Sequence, residues 1–166
     1  MNARTLNLLE PSFRDQELQR RGRRSHRRAR VLLVDDEPCY REMVKAMLEH
    51  FMWVWVTEAA TSRQALAVAK HRRLDLVVSD IVRPGTMDGL RFLKVFKQHH
   101  SQIPVLIASG TSSSVNKYEA IWSGAYAFLP KPFSIGELLE AVRHGLQGAR
   151  ECRTLRLRTR CGQRMR

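Results

Sequence analysis

The stretch VLLVDDEP, residues 31–38, decides the fold. Val31 to Val34 form an apolar run without alternation, the pattern of a strand covered on both faces. Three acids follow at once, Asp35, Asp36 and Glu37, and then Pro38. Neighbouring carboxylates repel and raise each other's pKa, so a fold that keeps them needs an offset, commonly a cation or a reaction. Pro38 suits a first helical position. Beyond it Met43, Val44, Met47, Leu48 and Phe51 recur at helical spacing.

The same alternation of strand and helix continues outward. WVWVTEA is a second strand, and TSRQALAVAKHRR a helix capped by Thr61 or Ser62. LDLVVSD is a third strand that again ends in an aspartate, Asp80, followed by the loop PGTMDG and the helix LRFLKVFKQHH. IPVLIASG is a fourth strand, and TSSSVNKYEAIWSG a helix closed by Gly124. AYAFLPKP is a fifth strand. SIGELLEAVRHGLQ is a fifth helix, opened by a capping box from Ser134 to Glu137 and a staple of Phe133 on Leu138. Strands each followed by a helix predict an α/β fold with a parallel sheet covered on both faces. Such sheets place their sites beyond the C-terminal strand ends. Asp35, Asp36, Asp80, Ser109 and Lys131 stand at those ends.

Composition bounds the rest. The 166 residues carry a net charge of +13. Residues 1–29 hold eight Arg against three acids, and residues 149–166 seven Arg against one. Residues 30–148 are nearly balanced, with fourteen Lys and Arg against twelve acids. Domain boundaries are therefore expected at 1–29, a basic arm with a short helix near Phe13–Leu18; 30–148, the folded domain; and 149–166, a basic tail or helix extension. Cys39, Cys152 and Cys161 are odd in number and lack a CxxC spacing, which does not suggest a disulfide framework and fits reduced thiols. No apolar run nears the ~20 residues of a membrane span, and no signal-peptide h-region is present, so a cytoplasmic protein is expected.

The convergent polar set suggests its chemistry. Three carboxylates repel an anion and suit a hard divalent cation such as Mg²⁺, which takes one or two carboxylates, waters and phosphate oxygens. A carboxylate can also act as a nucleophile toward phosphorus. Lys131 would add neutralising charge, and Ser109 a hydroxyl for a phosphoryl oxygen. Blander uses exist for each residue. Asp35 or Asp36 can cap the first helix, Asp80 can be a turn residue, Lys131 a solvated lysine and Ser109 a helix cap. Asp88 reads as a helix-start residue, Phe128 as at least partly core, and Trp53, Trp55 and Trp122 as packing residues.

The segments VLLVDDEP, LVVSDIVRPGTMDGL, IPVLIASG and GAYAFLPKPF, in this order and spacing, resemble the receiver domain of two-component response regulators over residues 30–148. The resemblance implies a five-stranded doubly wound, flavodoxin-like (βα)5 sheet in the order 2-1-3-4-5. It implies that Asp80 accepts a phosphoryl group from a sensor histidine kinase or phosphotransfer protein. Mg²⁺ would be held by Asp35, Asp36, Asp80 and the backbone carbonyl of Val82. Lys131 and Ser109 would contact the phosphoryl group, Ser109 and Phe128 would form the switch, and the Lys131–Pro132 peptide would be cis. Turnover of an external substrate is not expected.

This chain departs from the family pattern in three places. The loop Pro84 to Gly89 is one residue longer than the common form, a length that accompanies receivers working with hybrid kinases. Ser109 stands where Thr is commoner. The loop before the second helix lacks the usual Gly. Only 18 residues follow Gly148, too few for an output domain, so output is expected by docking to a protein partner, by phosphorelay or through the ends. Homodimerisation stays open. A second reading gives the Arg-rich ends to nucleic acid or an anionic surface. The same composition also arises from a high-GC genome or an overextended start codon.

Overall fold

Every predicted strand and helix of residues 30–148 is present. The computed structural model describes residues 27–80, 89–110 and 114–162. The expected Phe13–Leu18 helix, Val82, Asp88 and most of the loop after Asp80 lie outside them. Strands β1 (Ala29–Val34), β2 (Val54–Ala59), β3 (Leu76–Ser79), β4 (Val105–Ser109) and β5 (Ala127–Pro130) alternate with helices α1 (Pro38–Phe51), α2 (Ser62–His71), α3 (Gly89–His99), α4 (Ser114–Trp122) and α5 (Ile135–Gly162). All pairings are parallel, in the order β2-β1-β3-β4-β5.

The sheet separates two apolar clusters. Val31 and Leu33 join Val44, Leu48, Leu138, Val142 and Leu146 on one side. Leu32 and Val34 join Ala65, Phe92, Leu93 and Phe96 on the other. Successive strand side chains point to opposite faces, so β1, β3 and β4 are buried on both and read as unbroken apolar runs. Strand order reverses at β1, which pairs with β2 on one edge and β3 on the other. That reversal opens a crevice beyond the ends of β1 and β3.

Local chemistry sets the helix ends. Pro38 occupies the first turn of α1. Thr61, not Ser62, caps α2, its hydroxyl accepting the Gln64 N–H at 3.2 Å. Ser134 and Glu137 form the predicted reciprocal box on α5. Gly124 ends α4 at φ +96°, donating to the Ile121 carbonyl while Ala125 donates to Ala120. Helix α5 runs on through Gly162, so the first residues after Gly148 extend it.

The tryptophans do not pack inside. Trp53, Trp55 and Trp122 are 60, 57 and 89% exposed. Trp53 immediately precedes the edge strand β2 and Trp55 lies within it, and among the described residues no further strand pairs with that edge. Their rings instead face the Arg28 guanidinium, 4.0 and 4.4 Å from the ring centroids.

Candidate functional site

Backbone pairing brings the predicted acids together. The register sets Val34 beside Ser79, so Asp35 and Asp80 are the next residues beyond two adjacent strand ends. The Asp80 N–H donates to the Val34 carbonyl at 3.0 Å, and the Asp35 N–H to Ala59 at 3.2 Å. Lys131 follows β5, its N–H donating to the Ser109 carbonyl at 2.8 Å. The Lys131–Pro132 peptide is cis, as the resemblance implies.

From that position Lys131 Nζ reaches Oδ2 of both Asp35 and Asp80, at 2.8 Å each. Both carboxylates are buried, while Asp36 is exposed. Asp35 turns its other oxygen, Oδ1, to the Glu37 N–H at 3.0 Å. Asp35 thus supports the start of α1 and the Lys131 contact at once. Ser109 is fully buried at the end of β4. Phe128 is half-buried against the α3-side cluster, beside Ile107 in the sheet. The structure therefore joins Asp35, Asp80 and Lys131 directly, places Ser109 and Phe128 on the adjoining strands, and leaves Asp36 at the surface.

Electrostatics follow from this geometry. Burial alone would lower the Lys131 pKa, but hydrogen bonds to Asp35 and Asp80 outweigh it and hold the ammonium above the ordinary lysine range. Among the described residues no group of three or more His, Cys, Asp or Glu side chains forms a metal cage. Two carboxylates nevertheless converge on one shared positive charge. That donor set fits Mg²⁺, which needs only one or two carboxylates beside waters and phosphate oxygens.

Two neighbours were not singled out in the sequence. Arg41 donates to the Asp35 carbonyl at 2.6 Å. The Tyr40 ring lies under the Lys131 ammonium, 3.7 Å from Nζ to the centroid. Burial first, and then the charges of Asp35, Asp80 and Glu37, push the Tyr40 hydroxyl well above the ordinary tyrosine range. Its spacing of four residues to Val44 and seven to Met47 is the signal that could have marked Tyr40 as lying on the inner face of α1.

Residues 31–143 match the response regulator receiver domain family. The chain is 36% identical over 117 residues to the chemotaxis protein CheY of Bacillus subtilis, covering 70% of this chain and 97% of that one. It is 36% identical over 132 residues to the nitrogen assimilation regulatory protein NtrX of Azorhizobium caulinodans, covering 77% of this chain and 27% of that one. The chain thus spans about a quarter of NtrX and almost all of CheY. Among solved structures, a CheY-like receiver domain protein from Methanospirillum hungatei superposes with a TM-score of 0.71 at 26% identity, covering 75% of this chain and 98% of that one. NtrX from Brucella abortus gives 0.73 at 32% identity, covering 78% and 29%. With this family match, the five-strand order and the acids joined by Lys131, the chain belongs to the response regulator receiver domain family.

Proposed function

We propose that Asp80 is a phosphoacceptor and that the domain signals its phosphorylation state to a protein partner. The observation that carries this reading is Lys131 Nζ held 2.8 Å from both the Asp35 and Asp80 carboxylates, at the switch point of the sheet. A carboxylate oxygen of Asp80 attacks the phosphorus of a phosphohistidine on a kinase or phosphotransfer protein. The phosphorus–nitrogen bond breaks, and the imidazole leaves with the bonding electron pair and takes up a proton. Asp35, Asp36 and Asp80, with the Val82 carbonyl that the resemblance implies, would hold Mg²⁺, which would supply charge neutralisation. Lys131 stays beside Asp80 and faces the added negative charge. Ser109 offers its hydroxyl to a phosphoryl oxygen, and Phe128 on the next strand follows that movement.

The exposed Tyr118, Ile121, Trp122 and Tyr126, on α4 and the approach to β5, suit the docking of a partner that reads the change. On this reading residues 30–148 form the receiver unit, which works in the cytoplasm and does not turn over an external substrate. No helix among the described residues is long and apolar enough to cross a membrane.

Intact mass after incubation with acetyl phosphate, with and without Mg²⁺, tests the reading. Wild type should gain one phosphoryl group only with Mg²⁺, and Asp80→Asn should gain none. No gain in folded wild type with Mg²⁺ overturns the phosphoacceptor role.

One further observation favours a second role. Arg27, Arg73 and Arg150 line one cavity of about 140 Å³ at the opposite end of the strands, together with Asp75. Arg27 already holds both Asp75 oxygens at 2.9 Å. Residues from both Arg-rich ends thus meet at one basic pole, suited to the phosphate backbone of nucleic acid. Fluorescence anisotropy with labelled DNA should show binding that weakens steeply with salt and is reduced in Arg27→Ser and Arg150→Ser. Absence of binding at low salt removes this role. Equal binding to anionic vesicles would make it a general anionic-surface contact.

A further inference from the structure

Lys131 carries the positive charge on which both buried acids converge, yet a lysine ammonium is a point charge on a flexible four-carbon stem. Two carboxylates fix two directions around Nζ, at 2.8 Å each. The Tyr40 ring face closes a third, with its centroid 3.7 Å from Nζ. Phe133, two residues after Lys131, meets the Tyr40 ring edge-on at 6.2 Å and 75°. Tyr40 also packs against the α1 and α5 side of the core.

The tyrosine hydroxyl does not explain this placement. Tyr40 Oη is buried, and among the described residues it has no hydrogen-bond partner. Burying an unpaired hydroxyl costs free energy. A leucine would avoid that cost, but it is smaller and lacks a π face. What tyrosine supplies here is the negative face of its ring, turned toward an ammonium.

We propose that Tyr40 is a positioning residue, whose ring holds the Lys131 ammonium against Asp35 and Asp80 where a phosphoryl group on Asp80 would meet it. The role rests on the phosphoacceptor reading of this site. The ring acts through Lys131 and touches no reacting atom.

Two measurements on the full chain test it. In the unphosphorylated, metal-free protein, the Lys131 ε-CH₂ proton resonance should be shifted upfield by the ring in wild type and Tyr40→Phe. It should return to the ordinary lysine position in Tyr40→Leu. With acetyl phosphate and Mg²⁺, Tyr40→Phe should keep the wild-type phosphorylation rate within about two-fold, while loss of the ring in Tyr40→Leu should slow it roughly five- to ten-fold. Tyr40→Phe made with progressively fluorinated phenylalanine keeps the shape while draining the ring face of negative charge. Its rate should fall stepwise, a trend that packing alone does not produce. Wild type that is phosphorylated, with rates unchanged in Tyr40→Leu and across the fluorinated series, overturns the positioning role and leaves the phosphoacceptor reading standing. Wild type that takes no phosphoryl group overturns the phosphoacceptor reading, and the resonance shift still decides whether the ring holds the lysine.

Discussion

His100 shows how a single side chain reports its surroundings. It follows α3, its N–H donating to the Phe96 carbonyl at 2.8 Å, and its ring lies 4.9 Å from that of fully buried Phe96. Burial first, and then the neighbouring His99 charge, lower its pKa from the ordinary 6.5. Native His100 therefore stays neutral where the unfolded chain already binds a proton. Its stabilising contribution is complete above about pH 6.5 and declines as pH falls through the lowered native value. NMR titration of the His100 ring protons should give a midpoint below 6.5, and His100→Gln should flatten the stability profile on that acidic limb. A midpoint at or above 6.5 removes this source of pH dependence. The acids of the site were legible as strand-end residues, because a carboxylate after an apolar strand is conspicuous. Tyr40 was not, because its meaning comes from Lys131, far along the chain.

At the scale of elements, two glycines mark where helices meet the rest of the fold. Gly124 holds φ +96° at the end of α4, and a Cβ there would lie 3.3 Å from Lys97 Cε. Lys97 is committed nearby, donating to the Ser101 and Ile103 carbonyls that follow α3. Gly124→Ala should cost about 1–2 kcal/mol, because a side chain is strained in the left-handed region. Gly145 lets α5 approach β3, and a Cβ there would overlap Leu76 Cδ1. Gly145→Ala should cost about 1–3 kcal/mol by overpacking. One turn on, a Cβ at Gly148 would meet nothing within 4 Å, so Gly148→Ala should stabilise α5 by roughly 0.5–1 kcal/mol. Urea denaturation of the three variants checks both the order and the signs. Helix starts such as Thr61, Pro38 and Ser134 were readable locally, since capping involves residues within one turn. The continuation of α5 past Gly148 was not, because the Arg-rich sequence there suits helix or coil.

For the whole molecule, stability should follow the two faces of the sheet rather than hydrophobicity as such. Phe92 is fully buried in the α3-side cluster, and Phe92→Ala should cost about 3–5 kcal/mol. Trp122 is larger but 89% exposed, so Trp122→Ser should change stability by less than about 0.5 kcal/mol. Denaturant midpoints for the pair measure this directly, and a Trp122 cost near that of Phe92 would place its ring in the core. The amino-acid sequence by itself determined the alternation of strands and helices, the doubly covered strands and the polar residues at their ends. These follow from hydrophobic period and local turn chemistry, which act over a few residues. The strand order came from resemblance to a family, not from any local signal. Tertiary structure alone decided that one lysine joins Asp35 to Asp80, that Tyr40 lies beneath it, that the tryptophans stay outside and that Arg27 and Arg150 share a cavity. Each is a contact between residues distant in sequence, set by strand order and register once the chain has closed on itself.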